Sequence, residues 1–166
     1  MIQLQTSVTV PGLTGKAVSE FMLNATDADY QRWWPGTHLA FHTLRRYPGD
    51  LGNRVYYDEF VGNYRLKFNG VLVEVFPSRK LTWQIQKIVR LPAWLTLEFA
   101  DSPGQVEITH RLSVGFKGIG RGFDPILRWL ISRRFSQDLD QHTRTEFHRL
   151  AEFLSSQETW IVGSPP

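Results

Sequence analysis

The chain reads LTLEFADSPGQVEITHRLSVGF from Leu95 to Phe116, and this stretch decides its fold class. Two segments place an apolar residue at almost every second position, and Asp101 to Gly104 lies between them as a turn signal. Alternation with a period of two is typical of a strand with one buried face, and a short turn that contains Pro and Gly joins two such strands as a hairpin. The stretch therefore predicts neighbouring antiparallel strands that share one apolar face.

The same alternation extends towards the N-terminus. Short groups of turn residues interrupt it between about Leu39 and Phe116 and divide that region into six hairpin-linked strands. Ile2 to Val10 alternates in the same way and predicts one more strand. The strand that contains Leu66 to Val75 changes parity midway, and a one-residue bulge at Asn69 and Gly70 would return its apolar residues to one face. We expect one curved antiparallel sheet with a single dry face.

Two short helices are predicted between the first strand and the rest of the sheet. Apolar residues between Thr14 and Met22 recur at helical spacing and predict the first. Thr26 followed three residues later by Asp29 has the spacing of a capping box, which predicts that the second helix begins there and runs to Trp34. Pro and Gly at the next two positions end it.

A long helix is predicted at the C-terminal end. It follows a glycine-rich connection at Lys117 to Gly122 and runs from about Asp124 to Ser155, with Asp124 and Pro125 as its cap and first turn. We assign 1–156 to one domain and 157–166 to a C-terminal tail. The buried stripe of the helix comprises Ile126, Leu127, Leu130, Ile131, Phe135, Leu139, His142, Phe147, Leu150, Phe153 and Leu154.

Composition excludes several classes of function. The 166 residues suit one domain, and the absence of cysteine excludes disulfides, thiolate metal sites and cysteine nucleophiles. The net charge is +3, but the 19 Lys and Arg are scattered among 16 acidic residues, so we expect no nucleic-acid partner. Neither a signal peptide nor a membrane span is recognisable, and we expect a cytoplasmic protein.

Three short segments carry a resemblance to a known family. They are Trp33 to Pro35 after the short helices, Val73 to Pro77, and Lys80 to Trp83. With the order of elements, they resemble the helix-grip superfamily (START, Bet v 1-like, SRPBCC), in its polyketide cyclase/dehydrase-like branch, over about residues 2–155. The resemblance implies an α+β fold in which a curved seven-stranded antiparallel sheet, with two short helices, packs its concave face on one long C-terminal helix. It also implies a cavity for lipids, sterols or polyketides.

Within that cavity, aromatic and apolar residues with inward parity are the predicted ligand contacts. A core wall and a cavity wall have the same composition, so the same residues would serve equally as ordinary core. The predicted contacts are Trp33, Phe41, Tyr57, Phe68, Trp83, Phe99, His110, Leu127 and Ile131.

Two polar residues are candidates for acid–base chemistry. His110 is the imidazole on the apolar face of the last strand, and Glu59 shares the inward parity of Tyr57. A buried imidazole or a desolvated carboxylate can move protons near neutral pH. The alternatives are that His110 is a hydrogen-bonded core residue and that Glu59 lies in water or beside an arginine.

Metal and nucleotide sites are not predicted. His38 and His42 on one strand are about 13 Å apart at ~3.3 Å per residue, too far to share an ion. His142 and His148 point in different directions on a helix. The glycine-rich connection matches neither a dinucleotide-binding motif nor a phosphate-binding loop. We therefore expect no metal and no cofactor.

Three functions remain open. The first is a carrier or sensor of a hydrophobic small molecule. The second is a cyclase or dehydratase that uses His110 and Glu59 as acid and base. The third is a protein-interaction domain without a ligand, as in chaperone-activating relatives of the fold. Arg and aromatic residues near the start of the last helix leave a transient membrane-surface contact open. The chain could be a monomer or a homodimer.

Overall fold

A computed structural model describes residues 1–86, 90–115 and 132–162. The glycine-rich connection, the cap at Asp124 and the predicted ligand contacts Leu127 and Ile131 lie outside the described residues. The helices and strands named below belong to the described part of the chain.

Seven strands form one antiparallel sheet in the order β1-β7-β6-β5-β4-β3-β2. Each strand pairs with its neighbour in the chain, except that β1 closes against β7 and not against β2. This arrangement confirms the predicted hairpins and the predicted first strand. The strands are β1 Ile2–Pro11, β2 His38–Arg45, β3 Arg54–Val61, β4 Tyr64–Phe76, β5 Lys80–Gln86, β6 Arg90–Ser102 and β7 Gln105–Val114.

Three helices accompany the sheet in the described ranges: α1 Gly15–Asn24, α2 Asp27–Trp33 and α3 Arg133–Val162. The predicted capping box is confirmed, because the Thr26 hydroxyl accepts from the Asp29 amide and the Asp29 carboxylate accepts from the Thr26 amide. The last helix continues to Val162, past the predicted end at Ser155. None of the helices in these ranges is long and apolar enough to cross a membrane.

One face of the sheet is apolar and lies under α3. Its buried residues form a continuous core with the inner faces of α1 and α2, and include Val10, Phe41, Tyr57, Trp83 and Ile108. The opposite face carries a charged row in which Lys80 bonds Glu74 at 2.8 Å and Arg111 bonds Glu98 at 3.1 Å. The alternation of the strands therefore sorts apolar residues under the helix and ionic residues towards water, as predicted.

The bulge predicted at Asn69 and Gly70 is wrong in position. The β3–β4 register runs without interruption through both residues, and the irregularity of β4 lies between Leu72 and Glu74. Gly70 instead allows close packing, since a Cβ there would lie 3.1 Å from the Val55 side chain and 3.3 Å from Trp83 Cβ. The glycine indicates a close approach of side chains, which a sequence pattern does not distinguish from a bulge.

A second bulge changes the parity of β2. His38 faces Glu59 and Ala40 faces Asp58, so Leu39 is the extra residue in the ladder. His38 is therefore buried on the same side of the sheet as Phe41. A bulge of this kind re-aims the side chains that precede it.

We expect Thr26→Ala to lower the free energy of unfolding by about 1 kcal/mol, because the first turn of α2 would lose its side-chain cap. Thr26→Ser keeps the hydroxyl and serves as the matched control. Urea denaturation monitored by tryptophan fluorescence measures both. Equal stability of the alanine and serine variants would show that the capping box contributes nothing.

Candidate functional site

Four titratable side chains from three elements meet in the interior between the sheet and α3. They are His38 at the start of β2, Glu59 on β3, and His142 and Glu146 on α3. Their side chains are 0%, 13%, 5% and 10% exposed, respectively. We call these four residues the His–Glu cluster. A buried Glu146 and a largely buried Glu59 beside two buried imidazoles are unusual in a protein core, where such groups are rare unless they are paired.

The sheet half of the cluster depends on the start of β2. Gly36 adopts a positive φ of 78°, which closes the turn after α2, and the amide of His38 donates to the carbonyl of Trp34. The bulge at Leu39 then turns His38 inward, directly opposite Glu59 in the ladder. Two neighbouring strands thus present an imidazole and a carboxylate side by side.

The helix half follows from helical spacing. His142 and Glu146 are four residues apart, so they lie one turn apart on the same face of α3. Leu139 and Leu150 continue this face in both directions and are buried. The helix therefore carries a short polar segment within an otherwise apolar stripe, opposite His38 and Glu59.

Each imidazole lies close to both carboxylates. His38 Nε2 is 3.5 Å from Glu146 Oε1 and 3.9 Å from Glu59 Oε2. His142 Nε2 is 3.8 Å from Glu146 Oε2 and 4.0 Å from Glu59 Oε2. Nε2 of His38 and Nε2 of His142 have no hydrogen-bond partner, whereas the main chain of Tyr30 lies close enough to the His38 ring to raise its pKa against the effect of burial.

Aromatic residues of α2 enclose the cluster. The Tyr30 hydroxyl donates to Glu59, and the Tyr30 ring stacks on His38 with centroids 3.9 Å apart. Trp33 donates its indole N–H to the main-chain carbonyl of Glu146 at 2.8 Å. Trp34 stacks on His142 at 4.7 Å. Helix α2 and its C-cap residue Trp34 therefore hold one carboxylate and both imidazoles in place.

Burial shifts all four groups towards their neutral forms. It raises the pKa of Glu59 to about 7, although the bond from Tyr30 opposes the shift and the charge of Asp58 adds to it. Burial, and then the charge of Glu59, raises the pKa of Glu146 well above its ordinary value. Burial lowers the pKa of His38 to about 3 and that of His142 to about 4. The cluster at neutral pH therefore holds unprotonated imidazoles beside carboxyl groups that bind protons readily.

This arrangement has the parts for two kinds of chemistry. A carboxyl group whose pKa is near 7 can give or take a proton at working pH, and neutral imidazoles beside it can accept one. Neutral imidazole nitrogens and carboxylate oxygens are also ligands of divalent transition metals.

The aromatic residues predicted to contact a ligand do lie together. Tyr57 is at the centre, with ring centroids 4.6 Å from Phe41, 5.1 Å from Phe68 and 6.2 Å from Trp83. Trp33 and Phe99 belong to the same buried cluster. The Tyr57 hydroxyl is buried and has no hydrogen-bond partner.

No ion pair within 4 Å joins the two predicted acid–base residues in the part of the chain that the structure describes. His110 is buried on β7, between Thr6 of β1 and Leu97 of β6, and shares their inner face. The ion-pair contacts found for Glu59 go to His38 and His142. Glu59 therefore belongs to the His–Glu cluster, and His110 lies on the same apolar wall, close enough to His142 for the charge of that imidazole to lower the pKa of His110.

A cleft of about 270 Å³ opens beside the cluster. It lies between α3, the turn that joins α2 to β2, and the end of β3, and His142 is part of its wall. The other residues that line it are Trp34, Thr37, Phe60, Gly62, Asp138, Gln141 and Thr145.

Sequence reasoning missed three of the four cluster residues as a site. The sequence pattern pairs His38 with His42, which instead bonds Asp27 at 2.8 Å, and the bulge that buries His38 has no sequence signal. The predicted buried stripe includes His142 but not Glu146. The sequence does contain a signal for this pair. Glu146 follows His142 by four residues, and both lie between the apolar residues Leu139 and Leu150 of the buried stripe.

Buried His110 allows a test of pH-dependent stability. Burial, and then the charge of His142, lowers the pKa of His110 to about 4. Because the unfolded chain protonates this imidazole near its ordinary value of 6.5, its contribution is present above that pH and is lost as the pH falls towards 4. We expect His110→Gln to reduce the acid-induced loss of stability by roughly 3 kcal/mol, at 1.36 kcal/mol per unit.

Urea denaturation of wild type and variant between pH 7 and 4 measures this difference, and the opposing effect of Glu59 is common to both proteins. His148→Gln, at an exposed position of α3, is the control. A constant difference between wild type and His110→Gln across the range would show that His110 titrates normally.

The comparisons with known proteins bear on the fold. The sequence matches no protein-family model. It also matches no curated protein sequence. Solved structures do match, at low sequence identity.

A START superfamily protein from Mycobacterium smegmatis superposes with a TM-score of 0.63 at 14% identity, covering 92% of this chain and 98% of the other. Ara h 8.0201 gives 0.60 at 12% identity, covering 93% and 98%. The Aha1 dimer from Colwellia psychrerythraea gives 0.50 at 12% identity, covering 86% and 96%. The chain therefore has the helix-grip fold of the START and Bet v 1-like (SRPBCC) superfamily.

Proposed function

We propose that this protein binds a hydrophobic small molecule with one polar group, between the concave face of the sheet and α3, and acts as its carrier or sensor. The apolar part of the ligand would contact the aromatic wall around Tyr57. Its polar group would point towards the His–Glu cluster.

The observation that carries the proposal is a pair of buried hydroxyl groups without partners. The Tyr57 hydroxyl on the sheet and the Thr143 hydroxyl on α3 are both buried, and neither forms a hydrogen bond. Buried polar groups are almost always bonded, to protein, water or a ligand. Two unbonded hydroxyls on an otherwise apolar wall are suited to a ligand that is mostly apolar and has one polar end.

The architecture supports the same proposal. In this fold the long helix covers a concave apolar face, and the space between them is where a ligand would be enclosed. Burial of apolar surface supplies about 25 cal/mol per Å², so an apolar ligand gains most of its affinity from the wall. The polar groups then decide its orientation. The cleft beside His142 gives a route from solvent towards the cluster.

Acid–base catalysis is the second candidate. The observation in its favour is the raised pKa of Glu59, about 7, in a site that also holds two neutral imidazoles. Such a carboxyl group suits a cyclase or dehydratase that moves a proton on a bound substrate. Glu59 with His142 at the cleft is a better placed pair for this role than Glu59 with His110.

The remaining parts of the proposal concern partners and location. We place the protein in the cytoplasm, because a chain without cysteine has no need of an oxidising compartment. A homodimer stays open beside a monomer, and the similar Aha1 protein was solved as a dimer. If the experiments below find no bound compound and no binding of the probes, they favour a protein-interaction domain without a ligand.

We expect freshly purified protein to carry an extractable apolar compound. Native mass spectrometry should show an added mass that is lost on denaturation, and organic extraction followed by mass spectrometry should identify its class. A homologous series of fatty acids, titrated with tryptophan fluorescence as the signal, provides a defined probe. Protein that carries no added mass and binds no member of the series would contradict the proposal.

Tyr57→Phe separates ligand binding from stability. The free energy of unfolding should stay equal or rise, because the variant removes a buried hydroxyl that has no partner. Affinity for the extracted compound should fall by roughly tenfold, the worth of one hydrogen bond. Tyr47→Phe, at a position 38% exposed, is the matched control. A loss of stability with unchanged affinity would show that the Tyr57 hydroxyl serves the fold alone.

A further inference from the structure

The His–Glu cluster has the composition and geometry of a metal site. We propose that His38, Glu59, His142 and Glu146 bind one divalent first-row transition metal ion. This reverses the expectation from the sequence, which compared only histidines close together in the chain. The proposal stands whether or not the protein also binds a hydrophobic ligand.

Distances between the ligand atoms fit one small ion. One donor atom from each of the four residues can be chosen so that all four lie within 4.8 Å of one another. Each of the four imidazole–carboxylate distances lies between 3.5 and 4.0 Å. Metal–ligand bonds of about 2.0–2.1 Å in a tetrahedron place ligand atoms about 3.3 Å apart. The imidazole–carboxylate distances exceed that spacing by about 0.2 to 0.7 Å, and the widest pair of ligand atoms exceeds it by up to about 1.5 Å, so the four side chains must draw together when they bind an ion.

The imidazoles have free nitrogen atoms that face the carboxylates. The His38 side chain is fully buried, and its Nε2, which faces both carboxylates, has no hydrogen-bond partner. His142 is buried as well, and its Nε2 has none either. Buried imidazoles rarely leave a nitrogen unbonded, and a nitrogen directed at two carboxylates is in the position of a metal ligand.

Charge favours a divalent ion. Within the described ranges, no Lys or Arg lies within 4 Å of the carboxylate of Glu59 or of Glu146, whose ion-pair contacts are with His38 and His142. Two buried carboxylates without a cation would repel each other and lose their hydration. When both carboxyl groups give up their protons, one divalent ion makes the group of four residues electrically neutral, and without an ion bound protons neutralise the carboxyl groups instead.

Surrounding contacts hold the ligands as such sites require. Tyr30 bonds the Glu59 carboxylate and stacks on His38, and Trp34 stacks on His142. In metal sites the residues behind the ligands fix their orientation and raise affinity. The ligands themselves lie on two strands and one helix, which are rigid elements. The cleft lined by His142 gives the ion a route from solvent.

Ligand types narrow the choice of metal. Two nitrogens and two carboxylates suit Zn²⁺, Fe²⁺, Mn²⁺ or Co²⁺, whereas Ca²⁺ prefers six to eight oxygens. An ion at this place would join β2 and β3 to α3. It would therefore hold the helix against the concave face and close the polar end of the interior.

The test begins with wild-type protein stripped by a chelator and returned to metal-free buffer. Calorimetric titration with Zn²⁺ should give one ion per chain, and Zn²⁺ should raise the melting temperature. Titration with Co²⁺ should produce the visible absorption bands of an ion with nitrogen and oxygen ligands. Wild type that binds no stoichiometric Zn²⁺ and develops no Co²⁺ bands would overturn the proposal.

Variants locate the ion. Glu146→Gln and His38→Gln should each weaken Zn²⁺ binding by about 100-fold or more, since loss of a residue behind a ligand alone costs about 10- to 100-fold. Tyr30→Phe keeps all four ligands and should weaken binding by about tenfold. His42→Gln and His148→Gln remove histidines outside the cluster and should bind as wild type. Far-UV circular dichroism confirms that each variant folds.

Two results from the variants would overturn the assignment. One is Zn²⁺ affinity of wild-type strength in Glu146→Gln and His38→Gln. The other is an equal loss in His42→Gln or His148→Gln, which would place the ion elsewhere. If His38→Gln does not fold, Glu146→Gln and the Co²⁺ spectrum of wild type decide the question without it.

Discussion

Covering one apolar face of a single sheet is the constraint on which the rest of the structure depends. Apolar and polar residues alternate along the strands, so one side of the sheet is apolar and the other carries ion pairs such as Lys80 with Glu74. A sheet of this kind is stable only when another element packs on its apolar face and buries it. Helix α3 does so, with help from the two short helices. Every polar group on the buried face of α3 is therefore carried into the interior with it.

His142 and Glu146 are polar groups that this packing buries, which is unfavourable, and their burial gives the site its chemistry. A helix that served only as a cover would carry apolar residues at both positions. Burial of the pair opposite Glu59 shifts the pKa of each carboxyl group upward and that of each imidazole downward. Groups that burial keeps near neutrality can bind a polar ligand, move a proton or hold a cation, and all three uses draw on the same four side chains.

The sequence predicts the fold well because the fold follows from periodicity. Alternation every second residue marks the strands, turn residues separate them, and the Thr26–Asp29 spacing marks a helix start. The His–Glu cluster follows from less visible causes. Its residues are far apart in the chain, and His38 enters the interior through a bulge that no residue pattern announces. Gly70 shows the converse, because its sequence context resembles a bulge where the structure has close packing.

The bulge at Leu39 makes the lining of the interior a matter of backbone register. In a regular β2 with Phe41 still opposite Tyr57, Leu39 would face Glu59 and His38 would point to the other side. The extra residue exchanges an aliphatic side chain for an imidazole at that one place. In a protein of this architecture, a one-residue change of register at the end of a strand can therefore bring an ionisable side chain into the interior or remove it. No substitution in the sheet is needed for this change.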